Sequence, residues 1–395
     1  MKKNLKILFM LFICLSTSYH LISQTIAAGH SHSVLLDEEG KVWSFGNGKD
    51  VQLGHGDRKY QFLPKQIENI PKIVSVAAGG SHTVLLDEEG KVWSFGAGDH
   101  GQLGHGDRKH QFLPKLIGTI PKIIAVNAGH LHTILVDEEG KVWSFGNGCN
   151  GQLGHGDAEY QLLPKQINNL PKIIAVAARA WHTVLLDEEG KVWSCGYGYS
   201  GQLGHGDRKH QLLPQQINNL PKIIAAAAGS WHMVLLDNQG NVWSFGDGKD
   251  GQLGHGDREQ QLLPKQISNI SKIIAVDAGG WHTVLLDEEG KVWSFGHGDS
   301  GRLGHGDTDS QLLPKRIGNL PKIIGVNAGG YHTVLLDKEG QVWSFGNGGD
   351  GQLGHGEAAN KLVPTRIEGI PPIAASTPRR FERTKNARNN GFFNP

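Results

Sequence analysis

From Val76 onward the chain alternates short apolar runs with glycine-rich polar stretches. His82 to Leu86 (HTVLL) and Lys91 to Phe95 (KVWSF) are β-branched and aromatic, and Asp87-Glu88-Glu89-Gly90 separates them. Runs of that length and composition predict strands, and the linker suits a type I turn closed by a glycine in the left-handed region. Phe112 to Ile117 predicts another short strand, which Pro114 moves towards a sheet edge because proline has no N–H for the ladder. Lys122 to Ala128 (KIIAVNA) predicts the next, with small residues that suit a crowded position.

The same pattern returns along the whole chain. Tryptophans recur at Trp43, Trp93, Trp143, Trp193, Trp243, Trp293 and Trp343, with a spacing of 50 residues each time. Four strands per repeat and seven repeats predict an all-β protein, a seven-bladed β-propeller of four-stranded antiparallel blades. One isolated blade exposes both faces of its sheet, whereas radial packing buries those faces and closure leaves only short edges. An open solenoid is the alternative, but the terminal repeats carry no polar capping modification of the kind a solenoid needs. Thr25 to Ala28 opens the array, and Pro372-Ile373-Ala374-Ala375 repeats the opening strand at the far end, where it is placed to complete a blade at ring closure.

Composition changes this picture in few places. The 56 glycines fit a fold rich in tight turns, and a net charge of +1 gives no whole-molecule field for nucleic acid or an acidic membrane. Three cysteines, Cys14, Cys149 and Cys195, cannot make a disulfide framework; Cys195 stands where the other repeats have Phe and reads as a small core residue. Lys2, Lys3 and Lys6 precede an apolar run from Ile7 to Leu15 and the small residues Ser16 to Ser18, the order of a secretory signal peptide. The organisation expected is therefore a signal peptide over 1–23, one propeller over 24–376, and a basic disordered tail over 377–395. That places the protein outside the cell or in the periplasm or envelope, with no membrane span in the mature chain.

The candidates for chemistry are the repeat-locked polar residues. Of 21 histidines, one set lies in G-x-x-H (His32, His82, His132, His182, His232, His282, His332) and another in L-G-H-G (His55, His105, His155, His205, His255, His305, His355). Equivalent positions in different blades lie on a wide ring and do not converge on one metal ion, so no metal is expected. The G-x-x-H histidine is expected to tie a turn to neighbouring backbone, and the L-G-H-G histidine to sit exposed in a turn. Asp57 and its equivalents, with Glu357 in the last repeat, read as side-chain caps of glycine-rich turns. G-x-S-x-G, P-loop and H-E-x-x-H sequences are absent, and no enzyme activity or cofactor is expected.

The unit G-x-x-H-T-V-L-L-D-E-E-G-K-V-W-S-F-G followed by G-Q-L-G-H-G-D resembles the repeat of the regulator of chromosome condensation family, over about residues 24 to 376. The resemblance implies a propeller that binds proteins. The family's founding member exchanges guanine nucleotide on the small GTPase Ran and binds chromatin, and a secreted bacterial relative inhibits β-lactamase. Exchange in that founding member uses a wedge that projects from one blade, for which uniform 50-residue repeats leave no room. The expectation is accordingly a monomeric protein-binding scaffold without nucleic-acid partners, with a guanine-nucleotide exchange factor for a small GTPase, exported into a host, as the alternative.

Differences between repeats gather at two places: the loop after W-S-F-G, and the residue before the G-x-x-H histidine, which runs Ser31, Ser81, Leu131, Trp181, Trp231, Trp281, Tyr331. A fixed framework with varied loops is how binding surfaces are commonly made. Repeat four also has Arg179 where the other repeats have glycine, a costly exchange if that glycine uses positive φ. Arg179, Trp181, Trp231, Trp281 and Tyr331 are the expected partner-binding residues, placed by symmetry as an aromatic crescent on one propeller face.

Overall fold

The computed structural model describes residues 21–22, 25–375 and 378–379, so most of the leader read over residues 1–23 and most of the basic tail lie outside the described residues. Seven four-stranded antiparallel sheets follow one another in chain order. In the second blade the strands are Ile73–Ala78, His82–Asp87, Val92–Gly96 and Gln111–Leu116. First strands of consecutive blades touch one another around the whole ring, including Ile323–Ala328 against Ile26–Ala28. The first strand of every blade therefore lines the axis, and the fourth, with its proline, is the outer edge.

Local chemistry explains why each hairpin forms. Asp87 Oδ1 accepts the N–H groups of Glu89 and Lys91, and its Oδ2 accepts Trp93 Nε1–H at 3.0 Å. Gly90 completes the turn at φ +85°. The aspartate thus closes the turn and fixes the tryptophan of the facing strand, in register with Leu85 opposite Trp93.

Apolar residues lie between blades. One cluster joins Val84, Leu86 and Val92 of the second blade to Val126, Leu135 and Phe145 of the third. Each such phenylalanine abuts a glycine of the preceding blade, as Phe145 does Gly104; Cys195 leaves that space beside Gly154 to Pro214 and Ile167. Cys195 is buried, with burial pushing its thiol up to about 12. Replacing Cys195 with Phe, the residue of the other repeats, is expected to stabilise the fold by about 2 kcal/mol. Thermal melting checks this, and a lower melting temperature would mean that the slot has closed.

Closure uses both ends of the array. Ile373 pairs with Asp37 across an isolated antiparallel bridge, as Ile73 pairs with Asp87 in the second blade. The Ile373 N–H donates to Gly340 O at 2.8 Å and the Ala374 N–H to Leu36 O at 3.3 Å. Ile373 is 1% exposed and packs with Ile26, Leu35, Leu336 and Ile367 between the last blade and the first. The ring is closed, which removes the solenoid alternative. Outside it, Leu21–Ile22 pairs antiparallel with Pro378–Arg379, setting two residues read as leader against two read as disordered tail. Among the described residues no helix is long and apolar enough to cross a membrane.

Candidate interaction face

The turn between first and second strands and the long connection between third and fourth strands emerge on the same face. Backbone bonds hold them together: the N–H groups of Tyr197, Asp247, His297 and Asn347 donate to the carbonyls of Trp181, Trp231, Trp281 and Tyr331 at 2.9–3.0 Å. Each variable residue is thereby anchored by its main chain while its side chain is free to differ from blade to blade.

Beneath this face runs a buried belt. His32 Nε2 lies 3.1 Å from Thr83 Oγ1 in the next blade, and that hydroxyl donates to Gln52 O at 2.8 Å. The motif repeats around the ring and closes with His332 against Ser33 at 2.8 Å. One link differs: His182 Nε2 faces Met233 Sδ at 3.2 Å. These seven imidazoles are fully buried, and desolvation holds their pKa far below the usual histidine value, to about 3 for His32, His82, His132, His232 and His332. The histidine was expected to bind neighbouring backbone; it binds a hydroxyl of the next blade instead, and so joins blades. The L-G-H-G histidines are likewise not exposed: His55 is half-buried with Nε2 2.9 Å from Ser44 Oγ, and burial lowers its pKa to about 4. Asp57 caps its turn, Oδ1 accepting the Lys59 N–H at 3.0 Å, whereas Glu357 instead pairs with Lys361.

Trp181, Trp231, Trp281 and Tyr331 all lie on this face and all are half-buried. They do not form one unbroken row. Trp281 meets Tyr331 (ring centroids 5.4 Å), Tyr331 meets His30 (4.9 Å), His30 meets His130 (5.3 Å), and His130 meets Trp181 (5.7 Å). Trp231 packs on Tyr197 at 5.6 Å. The Arg302 guanidinium lies over both Trp281 and Tyr331, at 5.9 and 5.2 Å. His30, His130 and Arg302 were not anticipated. The signal was available, because His30 and His130 stand where other repeats have Gly, Ala or Ser, and Arg302 where they have Gln.

Arg179 stands at the axis, apart from the crescent. Its Nη1 donates to Ala328 O at 2.7 Å, reaching across the channel from the fourth blade to the seventh. Nearby, Asp277 Oδ2 accepts the Ala328 N–H at 2.7 Å and Oδ1 the Ala278 N–H at 2.9 Å. Burial raises the Asp277 carboxyl to about 6, opposed by these bonds and by Arg179. The glycine that Arg179 replaces does not use positive φ. At Gly129 an added Cβ would lie 2.2 Å from His132 Cε1, and at Gly79 it would lie 2.6 Å from Gly129 O. Glycine is needed there for space and not for a positive φ. The fourth blade accommodates the side chain by extending its first strand to Arg179 and setting Ala180 at φ +20°.

Residues 118–379 match the RCC1-like domain, and residues 39–86 and 89–136 match the regulator of chromosome condensation (RCC1) repeat. The chain belongs to the RCC1 repeat family. Among solved structures, this RCC1-repeat propeller resembles Prp20 of Saccharomyces cerevisiae with a TM-score of 0.77 and 26% identity, covering 89% of this chain and 88% of that one. Human WBSCR16 is similar in fold, with a TM-score of 0.77 at 22% identity over 83% of this chain and 94% of that one. Human protein RCC2 is 42% identical over 55 residues, which are 13% of this chain and 10% of that protein. The chain thus spans about a tenth of the length of the curated RCC2 relatives it matches. Prp20 binds Gsp1p and histones, and it has been crystallised with Kap60.

Proposed function

We propose that this RCC1-repeat propeller is a non-enzymatic scaffold that binds another protein through the face carrying Trp181, Trp231, Trp281 and Tyr331. The observation that carries the reading is where these rings lie: partly exposed on the loop-bearing face, and outside all seven interblade apolar clusters. Aromatic side chains and arginine supply most of the energy of protein interfaces, and here Arg302 backs two of the rings. The protein-binding properties of Prp20 support the same class of activity. Exchange on a small GTPase is the second reading, favoured by that likeness; the constant repeat length, which gives no blade an added projection, favours binding alone. The order of charged, apolar and small residues at the start of the chain supports a site of action outside the cytoplasm.

Replacing Trp231 and Trp281 with Ser, the residue of the first two repeats, is expected to leave thermal melting unchanged. Each change is expected to weaken partner binding by about 2 kcal/mol, or roughly 30-fold. Affinity capture with the purified chain, the retained protein identified by mass spectrometry and its affinity then measured on both variants, gives the result. N-terminal sequencing of the same preparation reads whether the leader has been removed. Unchanged affinity together with a lower melting temperature would show that the rings only pack.

A further inference from the structure

The axis of the propeller opens on the aromatic face into a small cavity, lined among others by Gly29, His30, Gly79, His130, Arg179 and Ala180. Around this mouth most blades are stitched to the next by one backbone bond. The N–H groups of His30, Gly80, Ser230, Gly280 and Gly330 donate to Gly79, Gly129, Gly279, Gly329 and Gly29 O at 2.9–3.2 Å. The two stitches that flank Arg179 are missing: among the described residues, the N–H groups of His130 and Ala180 make no hydrogen bond. Both residues line the cavity. The same cavity is lined by Arg179, which crosses the channel to place Nη1 on Ala328 O and, among the described residues, forms no ion pair, while both oxygens of Asp277 are engaged by backbone.

We propose that this mouth is a carboxylate site, in which the Arg179 guanidinium and the N–H groups of His130 and Ala180 receive an acidic group of the protein bound on the aromatic face. The proposal rests on the protein-binding reading and names the chemistry its partner must present. Unpaired backbone donors beside a partly desolvated guanidinium are what an oxyanion completes, by charge-assisted hydrogen bonds that water supplies less well. A monoanion fits better than a phosphate. Arg179 is the one full positive charge among the lining residues, His30 is held neutral with its pKa lowered to about 4, and Asp277 lies across the channel. The His130–Trp181 contact places an aromatic wall next to the opening, so an acidic side chain flanked by apolar residues would engage both features.

The full chain is titrated with acetyl-Gly-Glu-Gly-amide, with its Gln counterpart, and with acetyl-Gly-Gly-Gly bearing a free terminal carboxylate, by ligand-observed NMR. Binding of the carboxylate peptides is expected with Kd on the order of 1 mM, and the Gln peptide is expected to bind at least 10-fold more weakly. The two carboxylate peptides separate a side-chain source from a chain terminus. Arg179→Gly restores the residue of the other six repeats, should fold, and is expected to abolish the preference. Arg179→Gln gives the same readout if that variant melts early. Equal binding of the Gln peptide, or an undiminished preference in both Arg179 variants, overturns the site. If the Trp231 and Trp281 changes release the partner while Arg179→Gly retains it, the carboxylate site falls and the aromatic face stands.

Discussion

Below about pH 6 the protein is expected to unfold, with its melting temperature falling steeply between pH 6 and pH 4. The cause is the buried histidine belt. An unfolded chain binds protons at these imidazoles near pH 6.5, whereas burial in the native ring holds most of them near 3, with His182 at about 4 and His282 well below its usual value. With the native pKa depressed, the unfolded state binds the extra protons. Stability is therefore complete above pH 6.5 and is lost as pH falls towards the native values. Each histidine contributes up to about 1.4 kcal/mol per pH unit across that window. At pH 5 the belt as a whole exerts a pull on the order of 10 kcal/mol, comparable with the entire stability of a typical domain. Asp277 acts in the opposite sense, since its raised carboxyl favours the native state in acid, but it is one group against seven. Melting followed by circular dichroism at pH 8, 6, 5 and 4 decides the matter. A melting temperature that stays level to pH 4.5 would mean that the belt is not desolvated as described.

Ending the chain after Gly369 is expected to cost about 5 kcal/mol, while ending it after Arg379 is expected to cost nothing measurable. The shorter chain loses the burial of Ile373 at the junction of the last and first blades, worth about 2–3 kcal/mol with the cavity left behind. It also loses the bonds from Ile373 to Gly340 and from Ala374 to Leu36, at about 1 kcal/mol each. Denaturant unfolding of the two truncated chains against the full chain measures the difference. Equal midpoints would place closure elsewhere, in the contact between Ile26–Ala28 and Ile323–Ala328.

Much of this fold is legible in the sequence because the strand pattern repeats without insertion, so a reading of one blade serves for all. The Asp57-type caps and the closing role of Ile373 follow from the same regularity. The belt is less legible, because His82 meets Thr133, a residue 51 positions on. That distance means contact only once the ring geometry is known, which is why backbone was the expected partner. Arg179 stands out by comparison with its equivalents, but the reason for glycine there is the approach of His132 and the next blade's carbonyl, a three-dimensional crowding that no local pattern reveals. The crescent was placed on one face by symmetry. Its bridging by His30 and His130 depends on ring orientations across the channel mouth, which the repeat pattern does not encode.

In the first blade the inner strand is assembled from two pieces. Ile373 occupies the place that Ile73 has in the second blade, and Ile26 to Ala28 occupy the places of Val76 to Ala78. Topologically the folded protein is a circle with a nick in one strand. Which repeat stands first along the chain then carries no structural information, since a gene opened at any other repeat boundary, with Ala374 joined on towards Thr25, encodes the same ring. What the chain does fix is the succession of the variable residues around the circle, and the face they form is indifferent to where the circle is cut.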